Sequence, residues 1–145
     1  MSQAELNFQA QLRYLRMEAQ AVCSRAYAPY SKFTVGAAVL TESGAIFVGA
    51  NVENASYGLT MCAERVAIFS AAAAGHRKIV GLVLYTPTQS PTAPCGACRQ
   101  VIREFGQPDM PIISFCDDNS PDGKKWTLNE LLPDSFGPEN LGAGV

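Results

Sequence analysis

The chain predicts an α/β protein, a three-layer α/β/α sandwich around a mixed five-stranded sheet. Three observations lead there. Helical and strand-like patterns alternate as helix, strand, strand, helix, strand, helix, strand, with a last short strand running into a helix. The first two strands are joined by hairpin-turn residues, while the later ones are joined through helices, so antiparallel and parallel neighbours are both expected. Two cysteine clusters each follow a strand and open a helix, the place where α/β folds gather ligands.

At 145 residues, with 48% hydrophobic and 17% charged side chains, the chain is long enough to bury one sizeable core. One domain is expected over residues 1–145. The net charge of −2 gives no electrostatic reason to expect nucleic acid or an anionic membrane as a partner. No apolar run reaches the ~18 residues that suggest a membrane-spanning helix. The opening Met1-Ser-Gln-Ala-Glu5 lacks the basic and apolar regions of a secretory signal, so a cytoplasmic protein is expected. Five cysteines, two of them in a C-x-x-C, then read as metal binding rather than a disulfide framework.

The elements follow in order. Leu6, Leu12, Leu15, Ala19, Val22 and Ala26 recur at roughly helical spacing and predict an amphipathic helix over 5–27, ended before Pro29. Cys23 falls near its apolar stripe and reads as a small buried hydrophobe. Residues 28–33 form a turn, 35–40 a small-residue strand, 41–44 a hairpin turn, and 45–52 the returning strand. Phe33, where turn meets strand, is either core or ligand-facing. Thr60 is the expected cap of a helix over 62–74 that Gly75 stops. The alanines at 71–74 offer a small-residue surface for a sheet or a neighbouring subunit. Residues 79–85 are a continuous apolar strand of the buried kind. A loop rich in proline delivers the chain to a helix over 96–105. A second buried strand spans 111–116, a polar turn 117–125, and a strand passing into a short helix 126–132. In the tail, 133–141, Phe136 and Leu141 have no obvious local core.

The chemistry sits in Cys62-Ala-Glu64-Arg65 and Pro94-Cys95-Gly-Ala-Cys98-Arg99. One thiolate from the first helix and two from one face of the second give three sulfur ligands for zinc, with a fourth position left to water. That is an open site, hence a catalytic one. A closed structural site needs a fourth Cys or His, and Cys23, Cys116 and His76 have no ligand spacing to the clusters. Helix N-termini favour thiolates through the helix dipole and exposed amides. Zinc with three thiolates is formally −1, which weakens its pull on water; Arg65 and Arg99 are candidates to offset that charge. Glu64 is close enough to take the water's proton and hand it to a substrate nitrogen, the transfers that hydrolytic deamination needs. Asn51 and Glu53, two apart at a strand end, point the same way and suit a sugar hydroxyl. A site built to bond hydroxyls rejects analogues lacking them by ~10⁴-fold or more, which favours nucleosides over a free base. His76 is expected at the surface without a role.

Several stretches then carry a resemblance: Pro29-Tyr-Ser-Lys-Phe33, Val35-Gly-Ala-Ala38, Gly49-Ala-Asn-Val-Glu-Asn54, Cys62-Ala-Glu-Arg65, Pro94-Cys-Gly-Ala-Cys-Arg-Gln100 and Leu131-Leu-Pro-Asp-Ser-Phe-Gly-Pro-Glu-Asn-Leu141. The paired cysteine motifs are a signature already described for zinc deaminases, and the whole set resembles the small homotetrameric zinc-dependent cytidine deaminases. The resemblance implies Cys62, Cys95 and Cys98 as ligands of one Zn²⁺ per subunit and Glu64 as the proton shuttle. It also implies Phe33 stacked on the base, the Ala63 backbone on the pyrimidine carbonyl, and Asn51 and Glu53 on the ribose 3′-hydroxyl. Arg65 would temper the thiolates, while Tyr57 and Phe136 would complete a neighbouring subunit's site. The implied activity is hydrolytic deamination of cytidine and 2′-deoxycytidine to uridine and 2′-deoxyuridine in pyrimidine salvage. Its partners would be the nucleoside and further copies of the chain, with no nucleic acid and no membrane. Ala93 and Val66 depart from the residues of some relatives, serine and threonine, without touching the chemistry. The competing readings are a sister deaminase of another aminated heterocycle, a structural zinc module, and a nucleic-acid-editing deaminase, which would want a basic surface.

Overall fold

The computed structural model describes residues 1–143, so the last two residues of the expected domain 1–145 lie outside the described residues. Helix α1 spans Gln3–Cys23, strands β1 and β2 Gly36–Thr41 and Ile46–Ala50, helix α2 Ala63–Ala73 and strand β3 Ile79–Tyr85. Helix α3 follows at Gly96–Phe105, β4 at Pro111–Phe115, β5 at Lys124–Thr127 and the single-turn α4 at Leu128–Leu131. Short 3₁₀ turns occupy Tyr57–Leu59 and Pro138–Leu141.

The sheet runs β2-β1-β3-β4-β5. Strand β1 pairs antiparallel with β2 and with β3, β3 pairs parallel with β4, and β4 pairs antiparallel with β5. The sheet is therefore mixed and five-stranded, as expected. Alternation along the central strands divides the core into two layers. On one face Ala38, Leu40, Val83, Tyr85, Ile113 and Phe115 meet Phe8, Leu15, Ala19 and Cys23 of α1. On the other, Ala37, Val39, Leu82, Leu84 and Ile112 meet α2 and α3 through Ala63, Ala67, Ile68 and Ile102. Helices thus cover both faces.

Close approach explains two glycines. Phe8 is fully buried and its ring lies where a side chain at Gly81 would stand. Across the other face, a Cβ at Gly49 would come within 2.5 Å of the Ala67 nitrogen and 2.6 Å of the Ala63 oxygen. Small residues on α2 and β2 let the helix backbone settle onto the sheet, and this fixes the height of the first turn of α2.

Several boundaries differ from expectation for physical reasons. Helix α1 ends at Cys23, short of residue 27, because Tyr27 leaves to pair with the extension of β2. Its N–H donates to the Asn51 carbonyl at 2.9 Å, and its carbonyl accepts from Glu53 N–H at 2.8 Å. Leu6 is largely exposed, and Phe8 takes the inward place the sequence pattern had assigned to it. Thr60 does not cap α2. Its hydroxyl accepts from Asn54 N–H at 3.1 Å, and Cys62 holds the N-cap position instead. Strand β5 starts inside the expected polar turn, at Lys124. It is an edge strand, where solvated lysines suit an unpaired side and guard against edge-to-edge pairing. The tail is fastened by Arg103 of α3, which is bonded to Ser135 and Glu139.

Candidate metal centre and adjoining cleft

Topology brings the cysteine motifs together. Strands β2 and β3 both run antiparallel to β1, so α2 carries the chain over β1 between two like-directed strands, and α3 joins the adjacent parallel strands β3 and β4. Both helices lie on one face with their N-termini adjacent. Cys62 and Cys95 are the N-cap residues of α2 and α3, and Cys98 lies in the first turn of α3. The sulfurs of Cys62, Cys95 and Cys98 all lie within 4.8 Å of one another, and those of Cys62 and Cys95 are 3.8 Å apart. A tetrahedral zinc with Zn–S bonds of about 2.3 Å sets its sulfurs about 3.8 Å apart. The donor set and its spacing fit zinc. Cys98 is fully buried, Cys62 partly buried and Cys95 exposed, so the cluster has a protein side and an open side.

Arg65, one turn into α2, points its guanidinium back at the cluster, with Nη2 donating to Cys62 Sγ at 3.3 Å. Hydrogen bonds from the Cys98 thiol and from Arg65 draw the Cys62 thiol down to about 5. Arg99 behaves differently from the sequence expectation. Its Nε and Nη1 donate to the carbonyls of Pro94 at 2.7 Å and Leu131 at 2.8 Å, so it braces the approach to Cys95 and leaves the sulfurs to Arg65. Glu64 is 5% exposed, and burial pushes its carboxyl up to about 7, with the charge of Cys62 acting in the same direction. A carboxyl so poised can hold or release a proton near neutral pH.

Beside the sulfurs opens a cleft of about 240 Å³. Phe33, Asn51, Glu53, Ala63 and Glu64 all line it. Ala63 opens α2, so its backbone N–H is among those a helix leaves without an intrahelical partner. The amide of Asn51 is half engaged by the loop before β1: Oδ1 accepts from Val35 N–H at 2.9 Å, and Nδ2 donates to the Phe33 carbonyl at 2.8 Å. Glu53 accepts from Tyr30 N–H at 3.0 Å, from Ser31 N–H at 3.1 Å and from the Ser31 hydroxyl. These donors, the Ser31 hydroxyl foremost, hold its carboxyl below the usual range against a smaller opposing effect of burial.

Ser31, Thr60, Thr86 and Thr92 also line the cleft; of these the sequence marks only Thr60, and as a helix cap rather than a site residue. Ser31 belongs to the stretch Pro29-Tyr-Ser-Lys-Phe33, yet nothing local marks its hydroxyl as facing Glu53, 22 residues away. Tyr57 and Phe136 do not line this cleft; they are 76% and 59% exposed. Tyr57 stands edge-on to Tyr30, with ring centroids 6.0 Å apart, and the Phe136 carbonyl accepts from Gln100 Nε2 at 2.9 Å. His76 is half-buried rather than at the open surface. It packs on Phe47 and is bonded to the Ser43 hydroxyl at 3.1 Å.

Comparison with known proteins gives a consistent set. The family described as the cytidine and deoxycytidylate deaminase zinc-binding region matches residues 9–114. A cytidine deaminase of Sporosarcina psychrophila is 44% identical over 124 residues, 86% of this chain and 90% of that protein. One from Halalkalibacterium halodurans is 46% identical over 116 residues, 80% of this chain and 86% of its own. Among solved structures, the cytidine deaminase of Burkholderia pseudomallei is similar with a TM-score of 0.79 at 47% identity, covering 86% of this chain and 98% of that one. That of Mycobacterium tuberculosis gives 0.75 at 39% identity, covering 87% and 97%.

Proposed function

The chain belongs to the cytidine and deoxycytidylate deaminase family, and from that membership we propose that it hydrolyses the amino group of cytidine and 2′-deoxycytidine, giving uridine or 2′-deoxyuridine and ammonia. The observation that carries the reading is the cluster of three cysteine sulfurs with the buried Glu64 carboxyl beside it at the foot of one cleft. When held by Cys62, Cys95 and Cys98, zinc supplies a Lewis acid that makes water a better nucleophile at neutral pH.

The remaining work falls to side chains. Adding water at the amidine carbon and expelling ammonia requires protons to travel from water to the ring nitrogen and then to the leaving amino group. Glu64 carries them on its carboxylate oxygens, and its burial keeps both protonation states accessible. Arg65 offsets the negative charge of the thiolates through Cys62. The Ala63 N–H receives the pyrimidine carbonyl, Phe33 stacks on the ring, and Asn51 with Glu53 bonds the 3′-hydroxyl. The free capacity of these last two supports the assignment. Asn51 retains one N–H, and a carboxylate with about four acceptor positions retains one on Glu53.

We further propose that residues 1–145 act as one domain, and that the chain works as a homotetramer in cytoplasmic pyrimidine salvage, with no nucleic acid or membrane as partner. Exposed Tyr57 and Phe136, which lie outside the cleft beside the sulfurs, support completion of each site across subunits. No described helix is long and apolar enough to cross a membrane.

Ultraviolet loss of cytidine tests the reading. The zinc-loaded protein is expected to convert cytidine to uridine, and metal stripping to abolish the conversion. No conversion at verified zinc occupancy would move the assignment to another aminated heterocycle.

A further inference from the structure

Glu53 is held by more than its position in the chain. Three donors from one short loop converge on its carboxylate: the backbone N–H groups of Tyr30 and Ser31 on Oε1, and the Ser31 hydroxyl on Oε2. The two backbone donors grip only one oxygen, and rotation about that oxygen would leave the other free to swing. The Ser31 hydroxyl removes that freedom.

The direction of the hydroxyl is itself fixed. Phe33 N–H donates to Ser31 Oγ at 3.0 Å, which occupies a lone pair on that oxygen and leaves the hydroxyl proton for Glu53. The link spans two residues because Lys32 between them takes φ 61°, a left-handed conformation that a non-glycine residue adopts at some cost. The same loop is tied at its far end to Asn51, through Phe33 and Val35. Phe33, Ser31, Glu53 and Asn51 therefore form one hydrogen-bonded frame on the wall of the cleft.

We propose that Ser31 is the positioning residue for Glu53, aiming the single remaining acceptor position of that carboxylate, on Oε2, at one sugar hydroxyl of the bound nucleoside. This rests on the nucleoside reading above and on Glu53 meeting the 3′-hydroxyl. Ser31 acts through the Glu53 carboxylate that its hydroxyl bonds, so its loss alters recognition of the sugar hydroxyl and leaves proton transfer at Glu64 intact.

The test measures binding by calorimetry on zinc-loaded protein, using uridine and 3′-deoxyuridine as probes, alongside KM and kcat for cytidine. Wild type is expected to prefer uridine. Ser31→Ala is expected to weaken uridine roughly tenfold, the scale of one hydrogen bond to a charged group, while 3′-deoxyuridine binds as before. KM for cytidine should rise by a similar factor with kcat nearly unchanged, and Ser31→Thr, which keeps the hydroxyl, should restore both. Undiminished preference for uridine in Ser31→Ala overturns the proposal, as does equal weakening of both probes, the sign of a merely structural role. A wild type that deaminates cytidine but binds both probes equally removes Glu53 from the 3′-hydroxyl and the proposal with it. A wild type that leaves cytidine untouched while still preferring uridine counts against the proposed reaction alone.

Discussion

Arg103 and Glu139, 36 residues apart in sequence, meet in a two-oxygen grip: Nη2 lies 2.9 Å from Oε1 and 2.8 Å from Oε2. The arginine is nearly buried and the glutamate half-exposed, so the tail is fastened to α3 from the inside. Gly137 lies over the guanidinium, where a Cβ would come within 2.6 Å of its central carbon. Phe136 is presented from this fastened turn.

This pair predicts an acid-sensitive tail. The Glu139 carboxyl is held below its ordinary 4.5 by its own backbone N–H and by Arg103. A depressed folded-state pKa contributes stability that is present above the unfolded value and lost as the pH falls through the folded one. Glu139→Gln should therefore melt below wild type at neutral pH, and the gap should close as the pH drops well below 4.5. Melting curves across that range check it; a constant gap would assign the effect to packing.

Glu64→Gln should keep the fold and the zinc, because the side chain is nearly isosteric and is no ligand. Turnover should fall by at least ~10², the low end of what general acid–base catalysis contributes. Metal analysis paired with steady-state rates decides this, and near-normal turnover removes Glu64 from proton transfer.

Gly49→Ala should cost about 1–3 kcal/mol, the usual range for overpacking. The added methyl meets the backbone of α2 at Ala63 and Ala67 rather than a side chain that can swing aside. Because Glu64 rides on that turn, kcat should fall along with the melting temperature. An unchanged kcat in a destabilised protein would mean that α2 tips without shifting its first turn.

Removing the metal should lower the melting temperature, since a ligand bound only to the folded state stabilises it by about 4 kcal/mol at a thousandfold excess over Kd. Cys98→Ala should bind little zinc and melt like stripped wild type, because Cys98 is the fully buried sulfur on the protein side of the cluster. Zinc-responsive melting of Cys98→Ala would show that two sulfurs suffice.

Much of this architecture was legible because it rests on local pattern. Residues 79–85 form a continuous apolar run ended by a turn, and residues 96–105 follow the N-terminal signal of a Pro-Cys pair; both bounds agree with the structure. The gathering of Cys62, Cys95 and Cys98 was legible from two helix starts that each follow a strand. What escaped is non-local. Thr60 is a good capping residue in isolation, but its hydroxyl is taken by Asn54. Leu6 and Phe8 fit a helical stripe about equally well on paper, and the space over Gly81 selects Phe8. Arg65 and Arg99 look equivalent in sequence, yet only one reaches a sulfur, because the other is claimed by the carbonyls of Pro94 and Leu131. Ser31 matters only once the loop lies along Glu53.

The two cysteines at N-cap positions have a last consequence. Neither makes the side-chain hydrogen bond that a cap residue usually gives its helix. Serine, aspartate or asparagine there would serve α2 and α3 better, by about 1 kcal/mol at each start. Residues 62 and 95 are thus positions where a well-capped helix start and metal affinity pull in opposite directions. An engineering effort that scores substitutions on the metal-free chain alone would be drawn to these two sites, and would exchange the larger stabilisation by bound metal for the smaller gain at two helix starts.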